Sequence, residues 1–163
     1  MNKPFVAILM GSDSDLPTVE ASFTILKNFS VPYEVKVTSA HRTPRSTAEF
    51  VADADNRGCA VFICAAGMAA HLAGAVAAIT LKPVIGLPID ASLGGLDALL
   101  STVQMPAGIP VATMSIGKAG AINAAIYAAK ILAISHKKVE VSLTKWLTKQ
   151  TNEVPLSPNK QND

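Results

Sequence analysis

Short runs of consecutive apolar residues recur along this chain, each followed by a turn and then by a segment of helical period. The first is Phe5-Val-Ala-Ile-Leu-Met10, and later ones are Ala60-Val-Phe-Ile-Cys64, Pro83-Val-Ile-Gly-Leu87 and Val111-Ala-Thr-Met-Ser115. An unbroken apolar strand must be covered on both faces, so the pattern calls for a parallel sheet between two layers of helices. Tyr33-Glu-Val-Lys-Val-Thr38 alternates instead, which marks a more exposed strand near an edge. Helices are expected over Leu16–Asn28, from Pro44 to Arg57 with Gly58 as the stop, and from the Ala65–Met68 turn to about Thr80. Further helices are expected over Leu96–Val103, Ala119–Ile134 and Lys138–Gln150, the last with Val139, Leu143, Trp146 and Leu147 on one side.

These elements predict a three-layer α/β/α domain with five parallel strands and an added C-terminal helix. Flavodoxin-like order is the first choice among doubly wound sheets. A chain of 163 residues holds about one such domain, expected to run to residue 154, with the proline-broken 155–163 as a disordered tail. Alanine occurs 26 times while aromatics are only 5% of residues, so the core must rely on close backbone approach rather than large rings.

Charge is unevenly spread. From Gly58 to Gly117 only Lys82, Asp90 and Asp97 are ionic. The uncharged run Gly58–Leu81 reaches membrane-spanning length, but it contains His71, is rich in Ala and Gly, and reads as strand, turn and helix. Burial between copies of the chain explains it better, and a homo-oligomer is expected. A net charge of +2 gives no bulk attraction for nucleic acid or membranes, so neither is expected as a partner. Met1-Asn2-Lys3-Pro4 enters the first strand without a cleavage pattern, so a cytoplasmic location is expected. Cys59 and Cys64, five positions apart on one strand, should face opposite ways and act as small buried hydrophobes.

Ligands of such sheets bind beyond the carboxyl ends of the strands. Three loops there carry chemistry. Gly11-Ser-Asp-Ser-Asp15 offers a close backbone approach, the hydroxyls of Ser12 and Ser14, and an acid, Asp15, suited to ribose hydroxyls. The same residues also make a good helix cap. Ser39-Ala-His-Arg-Thr-Pro44 sets a proton-transfer group, His41, beside an anion clamp, Arg42. Ala65-Ala-Gly-Met-Ala-Ala-His71 offers small residues at a helix start, with His71 about one turn into the helix as a structural or supporting group.

With Ala69-Ala-His-Leu72, Pro83-Val-Ile-Gly86, Ser101-Thr-Val-Gln-Met-Pro106, Pro110-Val-Ala-Thr113 and the Asn-Ala-Ala starting at Asn123, these loops form an ordered set. The set resembles the class I N5-carboxyaminoimidazole ribonucleotide mutase family of purine biosynthesis over roughly Val6 to Leu132. The resemblance implies transfer of a carboxylate from the exocyclic nitrogen of an aminoimidazole ribonucleotide to the adjacent ring carbon. It implies no metal, no organic cofactor and an octamer. It also implies His41 as general acid and base, with Ser12 and Arg42 at the phosphate, Asp15 at the ribose, and Gly11, Ser14 and Ser39 lining the site. Ala66, Gly67 and Met68 would lie near the reacting carboxylate.

The third loop departs from the common family pattern. Ala65-Ala66-Gly67-Met68 stands where many members have Gly-Ala-Gly-Gly, and Ala73 replaces a usual proline. That leaves a thioether, Met68, available to close the pocket. The segment Asp90–Gly95 is one residue shorter than in many relatives, and Asp13 is assigned no role. Two functions remain as alternatives, a carbon dioxide-dependent carboxylase and a non-catalytic nucleotide-binding subunit. A receiver domain would need an aspartate where Cys64-Ala65-Ala66 stands, and a flavodoxin-type carrier would need aromatic loop platforms.

Overall fold

A computed structural model describes residues 3–154. Five parallel strands form one sheet in the order β2-β1-β3-β4-β5, where β1 is Phe5–Met10, β2 Tyr33–Val37, β3 Cys59–Ala66, β4 Val84–Pro88 and β5 Ala112–Thr113. This is the flavodoxin-like order. Every residue of β1 is buried because the strand lies inside the sheet with helices on both faces. Val6, Ile8 and Met10 join one apolar cluster, while Phe5, Ala7 and Leu9 join the other. Each such large side chain, fully buried, stabilises the fold by about 1.5–3 kcal/mol relative to exposure.

On the first face lie α1 (Leu16–Asn28), α5 (Gly117–Ala133) and α6 (Lys137–Glu153). Ala121, Ala124, Ala125, Ala128 and Ala129 are all fully buried, so α5 reaches the sheet closely on its alanine face. Trp146 of α6 meets Phe29 edge-on at 5.9 Å, and this indole is therefore half-buried within its own chain. Leu147, expected beside it, is instead 45% exposed. The other face carries α2 (Pro44–Arg57), α3 (Leu72–Ala77) and α4 (Leu96–Val103). Gly86 of β4 is needed there, because a Cβ would stand 2.3 Å from the Thr102 Cγ2.

Several expectations are corrected. The third helix is much shorter than a run to Thr80. Its end tightens at Ala78 and Ile79, and Thr80 turns to donate to Asp55 Oδ2 at 2.7 Å. His71 precedes that helix rather than lying inside it. Strand β5 keeps only two residues, since Pro110 has no N–H to extend the ladder and the chain turns at Ser115 to enter α5. Strand β2 ends at Val37, although Thr38 N–H still donates to the Met10 carbonyl at 2.9 Å while its hydroxyl meets Thr47. Strand β3 runs on to Ala66, β4 is displaced by one residue, α5 starts two residues earlier, and α6 extends to Glu153.

Cys59 and Cys64 do not face opposite ways. The register jumps from Phe5↔Cys59 to Val6↔Val61, a bulge at Ala60 that turns both thiols into the same cluster. Both are free and buried. Burial pushes the Cys59 thiol up to about 11 and the Cys64 thiol higher still, so neither supplies a thiolate. Residues 155–163, the expected tail, lie outside the described residues.

Candidate active site

The sheet order reverses between β1 and β3, and a cavity of about 500 Å³ opens beyond their carboxyl ends at that point. Gly11, Ser12, Ser14 and Asp15 enter it after β1; Ser39, His41 and Arg42 after β2; Ala66, Gly67, Met68 and His71 after β3. All eleven residues singled out in the sequence thus surround one space. A larger cleft of about 710 Å³ lies at the other end of the sheet near Lys3, Phe29 and His136. Its lining holds no carboxylate and no loop at a strand's carboxyl end, so chemistry rather than size selects the first.

The first loop is both a cap and a pocket wall. Ser12 N–H donates to Asp15 Oδ2 at 3.1 Å while Ser14 N–H donates to Ser12 Oγ at 3.3 Å, a capping box around one 3-10 turn. Asp15 is only 7% exposed. Burial pushes its carboxyl above the ordinary carboxylate value and Asp13 adds to the effect, whereas the N–H groups of Ser12 and Gly11 act the other way. The Ser12 hydroxyl donates to Asp13 at 3.1 Å, a contact an incoming anion must replace.

The second loop is fixed by hydroxyls. Thr38 Oγ1 lies 2.8 Å from Thr47 Oγ1 and 3.2 Å from Thr43 Oγ1, and Thr43 Oγ1 accepts from Ser39 N–H at 3.0 Å. Arg42 N–H donates to Ser39 Oγ at 3.2 Å, and its guanidinium reaches the Gly11 carbonyl at 3.4 Å. This tie joins the first and second loops across the cavity. His41 occupies the tip.

The third loop is fixed from outside itself, by hydrogen bonds from neighbouring elements and by close packing. Ala66 O accepts from Ile89 N–H at 2.9 Å, and Ser101 Oγ donates to Met68 O at 3.1 Å. A Cβ on Gly67 would stand 2.8 Å from Ala91 Cβ. The loop ends on His71, whose Nδ1 lies 2.8 Å from His41 Nε2, with the rings edge-on at 4.8 Å. One of these nitrogens carries the hydrogen and the other accepts it. Spacing alone gave no sign of this pair, thirty residues apart, and did not place Ala91 on the cavity wall either. Among the described residues no three His, Cys, Asp or Glu converge as a metal site, and no helix is long and apolar enough to cross a membrane.

A profile of the AIR carboxylase family matches residues 5–153, nearly the whole chain. The chain belongs to this family. Among AIR carboxylase relatives, the Escherichia coli N5-carboxyaminoimidazole ribonucleotide mutase is 49% identical over 159 residues, covering 97% of this chain and 94% of that protein. The Dictyostelium discoideum bifunctional purine synthesis protein purC/E is 47% identical over 97% of this chain, but the chain spans only 16% of that longer protein. The crystal structure of Treponema denticola PurE superposes with a TM-score of 0.82 at 28% identity, covering 92% of this chain and 93% of that one. The flavodoxin-like order found here is thus set within the AIR carboxylase family by sequence and by shape.

Proposed function

We propose that this chain converts N5-carboxyaminoimidazole ribonucleotide to 4-carboxy-5-aminoimidazole ribonucleotide in purine biosynthesis, as the E. coli relative's name describes for that protein. One observation carries the reading: His41 is presented at the cavity by His71 at 2.8 Å, facing a loop of small residues and beside an arginine. Ser12 and Arg42 hold the phosphate, Asp15 accepts from ribose hydroxyls, and Ser39, Ser14 and Gly11 complete that wall. Gly67 and its neighbours Ala66 and Met68 enclose the carboxylate.

The reaction is an isomerisation, so protons must balance within it. The bond from carboxyl carbon to exocyclic nitrogen breaks, its electron pair stays on nitrogen, and protonated His41 donates a proton there. The ring carbon then bonds to the released carbon dioxide. His41, now neutral, removes the proton from that carbon and returns to its starting state. In the present arrangement Nε2 of His41 is engaged by His71, so Nδ1 is the ring nitrogen left for the substrate's proton. His71 acts as a positioning residue that fixes ring and tautomer. In this scheme His41 alone carries both proton transfers.

Seven large apolar side chains within the charge-poor segment stand exposed, Leu81 fully and Leu93 at 79%, with Leu96, Leu100 and Val103 along one side of α4. Such a surface supports assembly of several copies, and we assign an octamer. Free, buried thiols suit a reducing compartment, and we assign the cytoplasm.

The test is conversion of the N-carboxylated nucleotide by the purified protein and by His41→Asn. Loss of the acid/base group should lower turnover by ~10²–10⁴ while nucleotide affinity stays within about tenfold. Near-normal turnover removes His41 from the mechanism. A protein that acts only on the decarboxylated nucleotide plus carbon dioxide is the carboxylase that the family's description names.

A further inference from the structure

Met68 is the one residue of the cavity wall with a side chain in left-handed backbone, at φ 56. That conformation crowds Cβ against the following carbonyl and normally falls to glycine. Nothing lets it relax. On one side Gly67 is wedged against Ala91, with only 2.8 Å for a Cβ. At Met68 itself, Ser101 holds the carbonyl at 3.1 Å. The side chain so placed is apolar, yet 61% exposed in the free chain. Strained backbone and exposed thioether are both unfavourable here, and together at a site they point to a function realised only when the site is filled.

We propose that Met68 is the cap that keeps carbon dioxide in the site during the reaction, a role that rests on the mutase reading above. Between breakage of the carbon–nitrogen bond and formation of the carbon–carbon bond, the migrating group is a neutral triatomic molecule. It carries no charge to clamp and donates no hydrogen bond, so it is retained only by walls that leave no exit. Ala66, Gly67 and Ala69 line that space without filling it. A flexible, polarizable thioether standing over the mouth can fold down on the bound heterocycle and shut the gap. A left-handed residue at 68 is what turns the side chain to the mouth, which explains why the strain is kept.

The experiment follows carboxylate label through a single turnover of the intact assembly, with excess unlabelled carbon dioxide present. Wild type should carry most of the label into product. Met68→Gly and Met68→Ala should lose at least roughly tenfold more label to solvent, the low end of what removing an apolar group from a pocket does. Met68→Leu should retain label as wild type does. Relief of backbone strain should leave the Tm of Met68→Gly at or above wild type, by up to ~2–4 °C. That gain separates loss of the cap from loss of the fold. Equal label retention in Met68→Gly and wild type overturns the proposal, as does smaller assembly mass in Met68→Gly with label retention unchanged, which would make Met68 a contact between copies. Complete washout by wild type also overturns it. Failure of wild type to convert the N-carboxylated nucleotide at all overturns the mutase reading itself.

Discussion

Gly67→Ala tests whether packing against Ala91 positions the third loop. The new Cβ would lie 2.8 Å from Ala91 Cβ, where ordinary contact begins near 3.4 Å, so the two loops must part by about 0.6 Å. Neither atom is the end of a flexible chain, and the Ile89 carbonyl at 3.5 Å and its Cβ at 3.7 Å block a sideways escape. Overpacking of this kind costs about 1–3 kcal/mol. For a chain of this length that is a fall in Tm of roughly 2–12 °C. Because the loop leads to His71 and so to His41, a displacement approaching 1 Å at the site should lower kcat/KM by about 10–10²-fold. Ala91→Gly removes the methyl that is struck. The double variant should therefore recover most of the activity and melting temperature, with a coupling of about 0.5–3 kcal/mol. Steady-state kinetics and calorimetry on the four proteins decide it. If Gly67→Ala keeps activity within twofold, or the double variant loses the sum of the single losses, the loop is not held by this contact.

Asp15→Asn separates binding from stability. A carboxyl whose folded value is raised binds its proton more tightly in the folded chain, so stability falls as pH rises through that value and the full penalty is present at neutral pH. Asparagine keeps an acceptor for Ser12 N–H without that penalty. The variant should melt higher than wild type near pH 7, with the gap closing below about pH 4, the ordinary carboxylate range; it should also lose nucleotide affinity in calorimetric titration. A lower Tm at neutral pH would refute the burial argument. His71→Leu should cut kcat by ~10–10² with KM little changed, whereas His71→Asn, which keeps a hydrogen-bonding side chain, should retain more activity. Equal kcat for both variants would make His71 a packing residue only.

What could be read in advance was whatever a local pattern encodes. The bounds of β1, α1 and α4 follow from apolar runs and helix signals within a few residues, and Gly58 ends α2 in left-handed backbone at φ 94 because glycine alone is at ease there. Gly11-Ser-Asp-Ser-Asp15 and Ser39–Pro44 were legible as site loops for a similar reason: their polar residues bond within the same loop, as Ser12 with Asp15 and Ser39 with Thr43. Cys59 shows the limit. Alternation sends it to the wrong face, since a bulge at Ala60 is decided by pairing with β1 and leaves no mark on the residues themselves.

The third loop shows the limit more sharply. Ala65–Ala70 has no polar side chain to fix a turn, so the sequence places a turn at Ala65–Met68 but bounds neither the strand before it nor the helix after it. Its shape is imposed from outside, by Ile89 and Ala91 after β4 and by Ser101 on α4. A loop built this way can take substitutions that would be forbidden where local bonding rules. Methionine can stand at 68 in a glycine conformation as long as Ser101 and Ala91 hold the backbone for it. The two loops assigned to the phosphate and ribose are therefore written in the chain's own polar residues. The one proposed to confine an uncharged molecule is written in the residues that press on it, and Gly67 against Ala91 is where that difference can be measured.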